Sequence, residues 1–215
     1  FPYKSEVYVT RFFANLELDN ILILNWKQRT SMKSLYRFCC FCFLLPTLIV
    51  SDSTDTITTN QPLADGKTII SSGGAFELGF FKPDVNSNRT YLGLWYKKVS
   101  KVTVVWTANR DVPINDTKGL LRVTDQANLT LFNGDGTAVW SSNATGSAKN
   151  PVAQLLDSGN LVIKDAADNN PENYLWQSFE HPTDTLLPGM KLGENLVKGT
   201  EVYMQSLKSS VDPSR

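Results

Sequence analysis

Residues 128–142, NLTLFNGDGTAVWSS, and residues 160–178, NLVIKDAADNNPENYLWQS, decide the fold. Each opens on Asn-Leu, runs through a short apolar strand, turns through Asn, Gly and Asp residues, and closes on Trp-x-Ser. An earlier segment, TVVWTANRDVPI at 103–114, carries the same close at Trp106-Thr-Ala. Tryptophans therefore recur at 106, 140 and 176, a period of about 35 residues that marks an internal repeat. A bulky ring at the close of each strand pair is expected to point at a shared axis. There Trp106, Trp140 and Trp176 fill a structural core that no single unit closes alone.

Outward from these segments the pattern stays the same. From residue 67 on, short β-rich runs (KTIIS, AFELGFF, TYLGLWYKK, VTVVWTA, LLRV, NLTLF, AVWSS, NLVIK, NYLWQSF) alternate with turn clusters such as Ser72-Gly-Gly, Asn133-Gly-Asp-Gly and Asp157-Ser-Gly. Gly and Asn in those clusters supply the positive φ that tight turns need. No stretch shows the i, i+3, i+4, i+7 apolar spacing of an amphipathic helix. The pattern predicts an all-β domain of sandwich, barrel or prism type.

Residues 32–53, MKSLYRFCCFCFLLPTLIVSDS, stand apart. A basic start, an apolar run from Phe38 to Val50 and a small, polar end are the order of a secretory signal peptide. The run is shorter than the ~20 residues of a spanning helix, and Pro46 interrupts it. Residues 1–31 then read as an upstream extension of the gene model. All three cysteines, Cys39, Cys40 and Cys42, fall inside the apolar run, and His181 is the one histidine. That stock builds neither a zinc site, nor a Cys/His nucleophile pair, nor a disulfide framework, so no metal or cofactor is expected. With 21 basic and 21 acidic side chains the chain has no formal net charge, which argues against a nucleic-acid partner.

Five further segments carry a resemblance: FELGFF at 76–81, YLGLWY at 91–96, TVVWTANRDVPI at 103–114, LLDSGNLVIKD at 155–165 and LWQSFEHPTDTLLPGMKLG at 175–193. Together they resemble the bulb-type (monocot mannose-binding) lectin domain, in the form found in plant S-locus glycoproteins and S-domain receptor-like serine/threonine kinases. The resemblance covers residues 54–180 as the lectin domain and 181–215 as the start of the S-locus glycoprotein region, cut short. It implies a β-prism II: three four-stranded antiparallel sheets with pseudo-threefold symmetry. It also implies a secreted or extracellular domain, non-enzymatic itself, whose parent is a plasma-membrane receptor with a kinase domain absent from this chain.

Sugar-binding members of that family read Q-x-D-x-N-x-V-x-Y along one strand, and period-two alternation puts the five named side chains on one face. In the third unit the pattern falls on Leu156, Ser158, Asn160, Val162 and Lys164, which keep Asn and Val. In the second it falls on Thr124, Gln126, Asn128, Thr130 and Phe132, which keep Asn alone. In the first, Ser72, Gly74, Phe76, Leu78 and Phe80 keep none. Loss of the carboxylate removes a charge-assisted bond worth about 1.5–3 kcal/mol, so the candidate carbohydrate positions Ser158, Asn160, Val162, Lys164, Gln126 and Asn128 are expected to be degenerate. The bland reading of Asn128 and Asn160 is a side chain bonded to nearby backbone after a turn.

N-x-[ST] sequons at Asn88, Asn115, Asn128 and Asn143 are candidate glycosylation sites in a secreted chain. Asp165, Asp168 and Glu172 read as solvated turn residues, and His181 as a structural or surface histidine. The function expected is a recognition module with a lectin fold, taking mannose-type glycans. The alternative is a protein or peptide interaction module, or a homo- or hetero-dimerisation module, using aromatic surface at Phe80, Phe81, Tyr91 and Trp95.

Overall fold

The structure, a computed structural model, describes residues 54–195, 199–209 and 211–214. The expected signal peptide at 32–53 and the upstream extension at 1–31 lie outside the described residues.

Alternation of apolar and small or polar residues builds twelve short strands into three sheets. Three hairpin-linked meanders repeat along the chain. The first joins β4 (Phe76–Phe81), β5 (Tyr91–Tyr96) and β6 (Val104–Thr107); the second, β7 (Leu120–Val123), β8 (Leu129–Phe132) and β9 (Ala138–Ser141); the third, β10 (Pro151–Leu155), β11 (Leu161–Asp165) and β12 (Trp176–Gln177). Each gains one more strand from a single N-terminal stretch. Strand β1 (Thr56–Thr58) pairs with β10, β2 (Leu63–Ala64) with β7, and β3 (Thr68–Ile70) with β4, all antiparallel. Residues 56–70 thus lace all three sheets together, and the result is the expected set of three four-stranded antiparallel sheets. A separate hairpin, β13 (Gly193–Asn195) and β14 (Thr200–Val202), lies beyond them in the chain.

The three central strands present equivalent inward residues. Leu92 and Leu94 of β5, Leu129 and Leu131 of β8, and Leu161 and Ile163 of β11 are all fully buried in one core. The register sets Trp106 opposite Leu94, Trp140 opposite Leu131 and Trp176 opposite Ile163. Bulges at Leu94/Trp95 and Leu131/Phe132 fall at the same place in the first two units, where the added twist helps turn the indoles inward. The three rings meet edge to face, with centroids 6.0, 6.0 and 5.9 Å apart, the tilted arrangement that opposes each ring's positive edge to its neighbour's negative face. Trp106 and Trp176 are buried, whereas Trp140 is half-buried. Trp106 Nε1 donates to the His181 carbonyl at 2.9 Å, and the His181 ring stacks on Trp176 at 5.4 Å.

The outer face of the first sheet is closed by its own aromatics. Gly79 and Gly93 sit directly across from each other, and a Cβ at Gly93 would overlap the Phe81 ring while one at Gly79 would press on Trp95. Phe80 packs in the same way on Gly119. Tyr91 is buried and Trp95 Nε1 donates to Glu77 Oε2 at 3.2 Å. The aromatic surface expected at Phe80, Phe81, Tyr91 and Trp95 is therefore largely spent inside the fold.

Beyond the third unit, Arg110, a buried side chain, donates to the carbonyls of Pro213 (2.9 Å), Ser206 (2.9 Å) and Gln205 (3.4 Å). Gln205 N–H also bonds the Thr183 carbonyl at 2.9 Å. A residue of the first repeat thus pins the chain's C-terminal segment.

The indole triangle sets the stability of the domain. Trp106→Ala and Trp176→Ala each lower unfolding free energy by about 3–5 kcal/mol, and Trp140→Ala by less because its ring is partly solvated, as read by chemical denaturation. The same contact makes stability depend on pH. The Trp176 ring strips water from one face of His181 and holds its pKa below the usual 6.5, with Glu180 pulling more weakly upward. The folded state then resists a proton that the unfolded state accepts, so the contribution is full above pH 6.5 and is lost as pH falls from there through the lower, folded-state pKa. With no other histidine in the chain, His181→Gln flattens this slope in a pH series of thermal melts.

Candidate carbohydrate-binding site

Superposing the three meanders by register aligns Tyr91, Asn128 and Asn160, each preceding an inward leucine, then Gly93, Thr130 and Val162, then Trp95, Phe132 and Lys164. This corrects the first unit. The strand equivalent to the sugar-site strand is β5, and Ser72, Gly74, Phe76, Leu78 and Phe80 belong instead to the turn and strand before it. Its central position is Gly93, over which the Phe81 ring lies.

In the third unit the polar side chains face one another. Asn160 is buried, and both ends of its carboxamide are engaged: Oδ1 accepts from Ser178 Oγ and from Phe179 N–H, each at 3.2 Å, and Nδ2 donates to Gln177 Oε1 at 2.9 Å. Gln177 in turn donates to Glu180 Oε1 at 3.2 Å. Val162 is fully buried, and Lys164 is buried with Nζ donating to Asn169 Oδ1. Gln154, across the ladder from Val162, donates to Asp55 Oδ2 at 2.9 Å. Ser158 is exposed, its hydroxyl accepting from Asn160 N–H at 3.3 Å, and Leu156 is half-buried.

The second unit repeats the arrangement in a looser form. Asn128 is half-buried, and its Oδ1 accepts from Ala144 N–H at 2.7 Å and from Ser142 Oγ at 3.5 Å. Gln126 lies exposed in the preceding turn. Ala127 and Gly159, the residues before the two asparagines, both take positive φ, 58° and 84°, so the two turns share one backbone shape.

These bonds form a common clip. The serine two residues after the tryptophan accepts the N–H of the central strand's first leucine: Ser142 Oγ from Leu129 at 3.0 Å, and Ser178 Oγ from Leu161 at 2.9 Å. In the first unit alanine stands at that serine's place, and Asn109 Oδ1 takes over, accepting from Leu92 N–H at 2.8 Å. Asn128 and Asn160 thus hold the Trp-bearing strand to the central strand. Gln154, Gln177 and Asn109 were not visible as site residues in the sequence, because their roles depend on cross-strand register rather than on spacing within one strand. The Trp-x-Ser and Trp-Thr-Ala-Asn endings were the available signal.

Two other groups lie where the sequence put them. Asp165 accepts backbone N–H bonds from Lys149, Asn150 and Ala167, and Asp168 from Asn170 N–H and Asn173 Nδ2, which hold both carboxyls below the usual range as turn caps. Among the described residues no cluster of His, Cys, Asp and Glu could hold a metal. Of the sequons, Asn88, Asn115 and Asn143 are exposed. A cleft of about 1110 Å³ opens beside the indole triangle, lined by Trp106, Trp140, Trp176, His181, Asn143 and Tyr203 among others.

The sequence model of the D-mannose binding lectin family matches residues 103–208. A G-type lectin S-receptor-like serine/threonine-protein kinase of Arabidopsis thaliana is 46% identical over 175 residues, which are 81% of this chain and 20% of that protein. The S-locus-specific glycoprotein S6 of Brassica oleracea is 44% identical over 176 residues, 80% of this chain and 40% of that protein. The chain thus spans well under half the length of these relatives. Among solved structures, the mannose-specific agglutinin from snowdrop bulbs matches at 19% identity with a TM-score of 0.40, over 54% of this chain and 94% of that one. With the repeat, the three sheets and the sequence relatives in hand, the chain carries a bulb-type, D-mannose binding lectin domain and is homologous over about four-fifths of its length to S-locus glycoproteins and G-type lectin S-receptor-like kinases.

Proposed function

We propose that the protein is an extracellular recognition module, the lectin-fold ectodomain portion of a receptor-like kinase or S-locus glycoprotein, in which the sugar sites have degenerated. Residues 32–53 serve as its signal peptide, 54–180 form the lectin domain, and 181–215 begin the S-locus region. Any kinase activity belongs to a domain outside this chain. Its partners are glycans of mannose type, bound weakly if at the ancestral positions.

The engagement of the Asn160 carboxamide carries this reading. A ligand hydroxyl would have to displace Gln177 Oε1, Ser178 Oγ or Phe179 N–H, exchanging one hydrogen bond for another with little net gain. The neighbouring carboxylate that would strengthen the exchange is Ser158 here.

Two measurements test the proposal. Asn160→Ala leaves the Phe179 N–H and the Ser178 hydroxyl without their acceptor and lowers stability by about 1–3 kcal/mol, while Asn128→Ala, in its half-exposed clip, costs about 1 kcal/mol. An Asn160 variant that melts like the parent would remove the structural role. Calorimetry with methyl mannoside at millimolar concentration gives no heat with the parent. The triple change Leu156→Gln, Ser158→Asp and Lys164→Tyr creates a weak site near 1 mM, about −4 kcal/mol. Micromolar binding by the parent would place its sugar contacts elsewhere.

A further inference from the structure

We propose that an N-linked glycan on Asn143 folds over the tryptophan-lined cleft, so that the occupant of this cleft is the protein's own first sugar residues. The proposal rests on the extracellular reading above, since only a chain that passes through the secretory pathway meets the glycan donor. In the covalent step, Asn143 Nδ2 loses a proton and bonds C1 of the first N-acetylglucosamine. The C1–O bond to a lipid-linked diphosphate donor breaks, and the lipid diphosphate leaves.

Four observations carry it. Asn143 lies on the rim of the cleft, and Thr145, the hydroxyl residue of its Asn-Ala-Thr sequon, lines the cleft too. Among the described residues the Asn143 carboxamide has no hydrogen-bond partner, and the side chain is exposed. Its backbone is fixed: φ is 49°, a left-handed value that Asn tolerates better than most residues, and the loop is held by Ala144 N–H to Asn128 Oδ1 at 2.7 Å and Ser142 N–H to the Leu129 carbonyl at 2.9 Å. Finally, the cleft leaves aromatic surface uncovered, because Trp140 is half-buried where its two partners are closed off, and Tyr203 is 56% exposed.

A pyranose ring has an apolar C–H face that matches such a surface, and burying aromatic area against it is favourable. The other sequons lack this setting. Asn88 and Asn115 are exposed but do not line the cleft, and Asn128 is half-buried with Thr130, the hydroxyl residue of its sequon, buried. The bond from Ala144 N–H to Asn128 Oδ1 fixes the loop that presents Asn143.

The test directs the whole chain into the secretory pathway of mammalian cells with an added leader and maps glycopeptides by mass spectrometry. Thr145→Ala removes the sequon without disturbing the left-handed Asn143 backbone, Thr145→Ser keeps it, and Thr117→Ala removes the glycan on Asn115 as a control. The expected result is occupancy at Asn143 together with Asn88 or Asn115. Thr145→Ala then raises acrylamide quenching of tryptophan fluorescence and lowers Tm by about 2–4 °C, whereas Thr145→Ser and Thr117→Ala do neither. Occupancy at Asn88 or Asn115 with Asn143 bare would overturn this inference and leave the extracellular reading standing. No occupancy at any sequon would likewise overturn this inference. A glycan on Asn143 whose removal changes neither quenching nor melting points away from the cleft, and that result too would overturn the inference.

Discussion

The edge-to-face contact of three indoles, with centroids about 6 Å apart, is the constraint on which the rest of the structure depends. Each sheet of four short strands has one apolar face, and a lone sheet of that size cannot bury it. Placing one large ring from the last strand of each unit at a common axis lets three such faces close around a single core. The contact also sets a strict requirement on each unit, because an indole that must touch two others tolerates little freedom in the strand that bears it. The bulges, the positive-φ turns before Asn128 and Asn160, and the serine clips all serve that requirement by fixing the Trp-bearing strand against the central one.

The asparagines take a different meaning from that constraint. In the family's sugar-binding pattern the position serves a ligand; here it anchors the strand that carries the tryptophan. The two duties use the same carboxamide, and a buried polar group loses more when left unpaired than it gains when paired. The bonds to Ser178, Phe179 and Ala144 by themselves give both asparagines a structural duty. In the first unit the Phe81 ring lies over Gly93, and the clip is made by Asn109.

The N-terminal stretch and the C-terminal segment have complementary roles. Residues 56–70 give one strand to each sheet, which covers an edge in each and ties the first residues of the domain to its last repeat. Arg110 reaches from the first repeat to the carbonyls of Gln205, Ser206 and Pro213, so the C-terminal segment is held by its fork of donors.

The sequence by itself determined the all-β class, the three units and their tryptophans, since period-two alternation, turn residues and a recurrent bulky ring are local signals that survive without a partner. It also showed which residue types of the sugar pattern are missing in the second and third units, because an absent residue type there needs no geometry to be noticed. Only the tertiary structure decided which strand of the first unit is the equivalent one. The longer connection from Phe81 to Tyr91 and the presence of Tyr91 in place of Asn erased the Asn-Leu cue, and cross-strand register alone restored it. The partners of Asn160, the closure over Gly93 and the reach of Arg110 to a segment about a hundred residues away were likewise decided by packing. Each joins residues far apart in the chain, and spacing along a strand carries no trace of what lies across it.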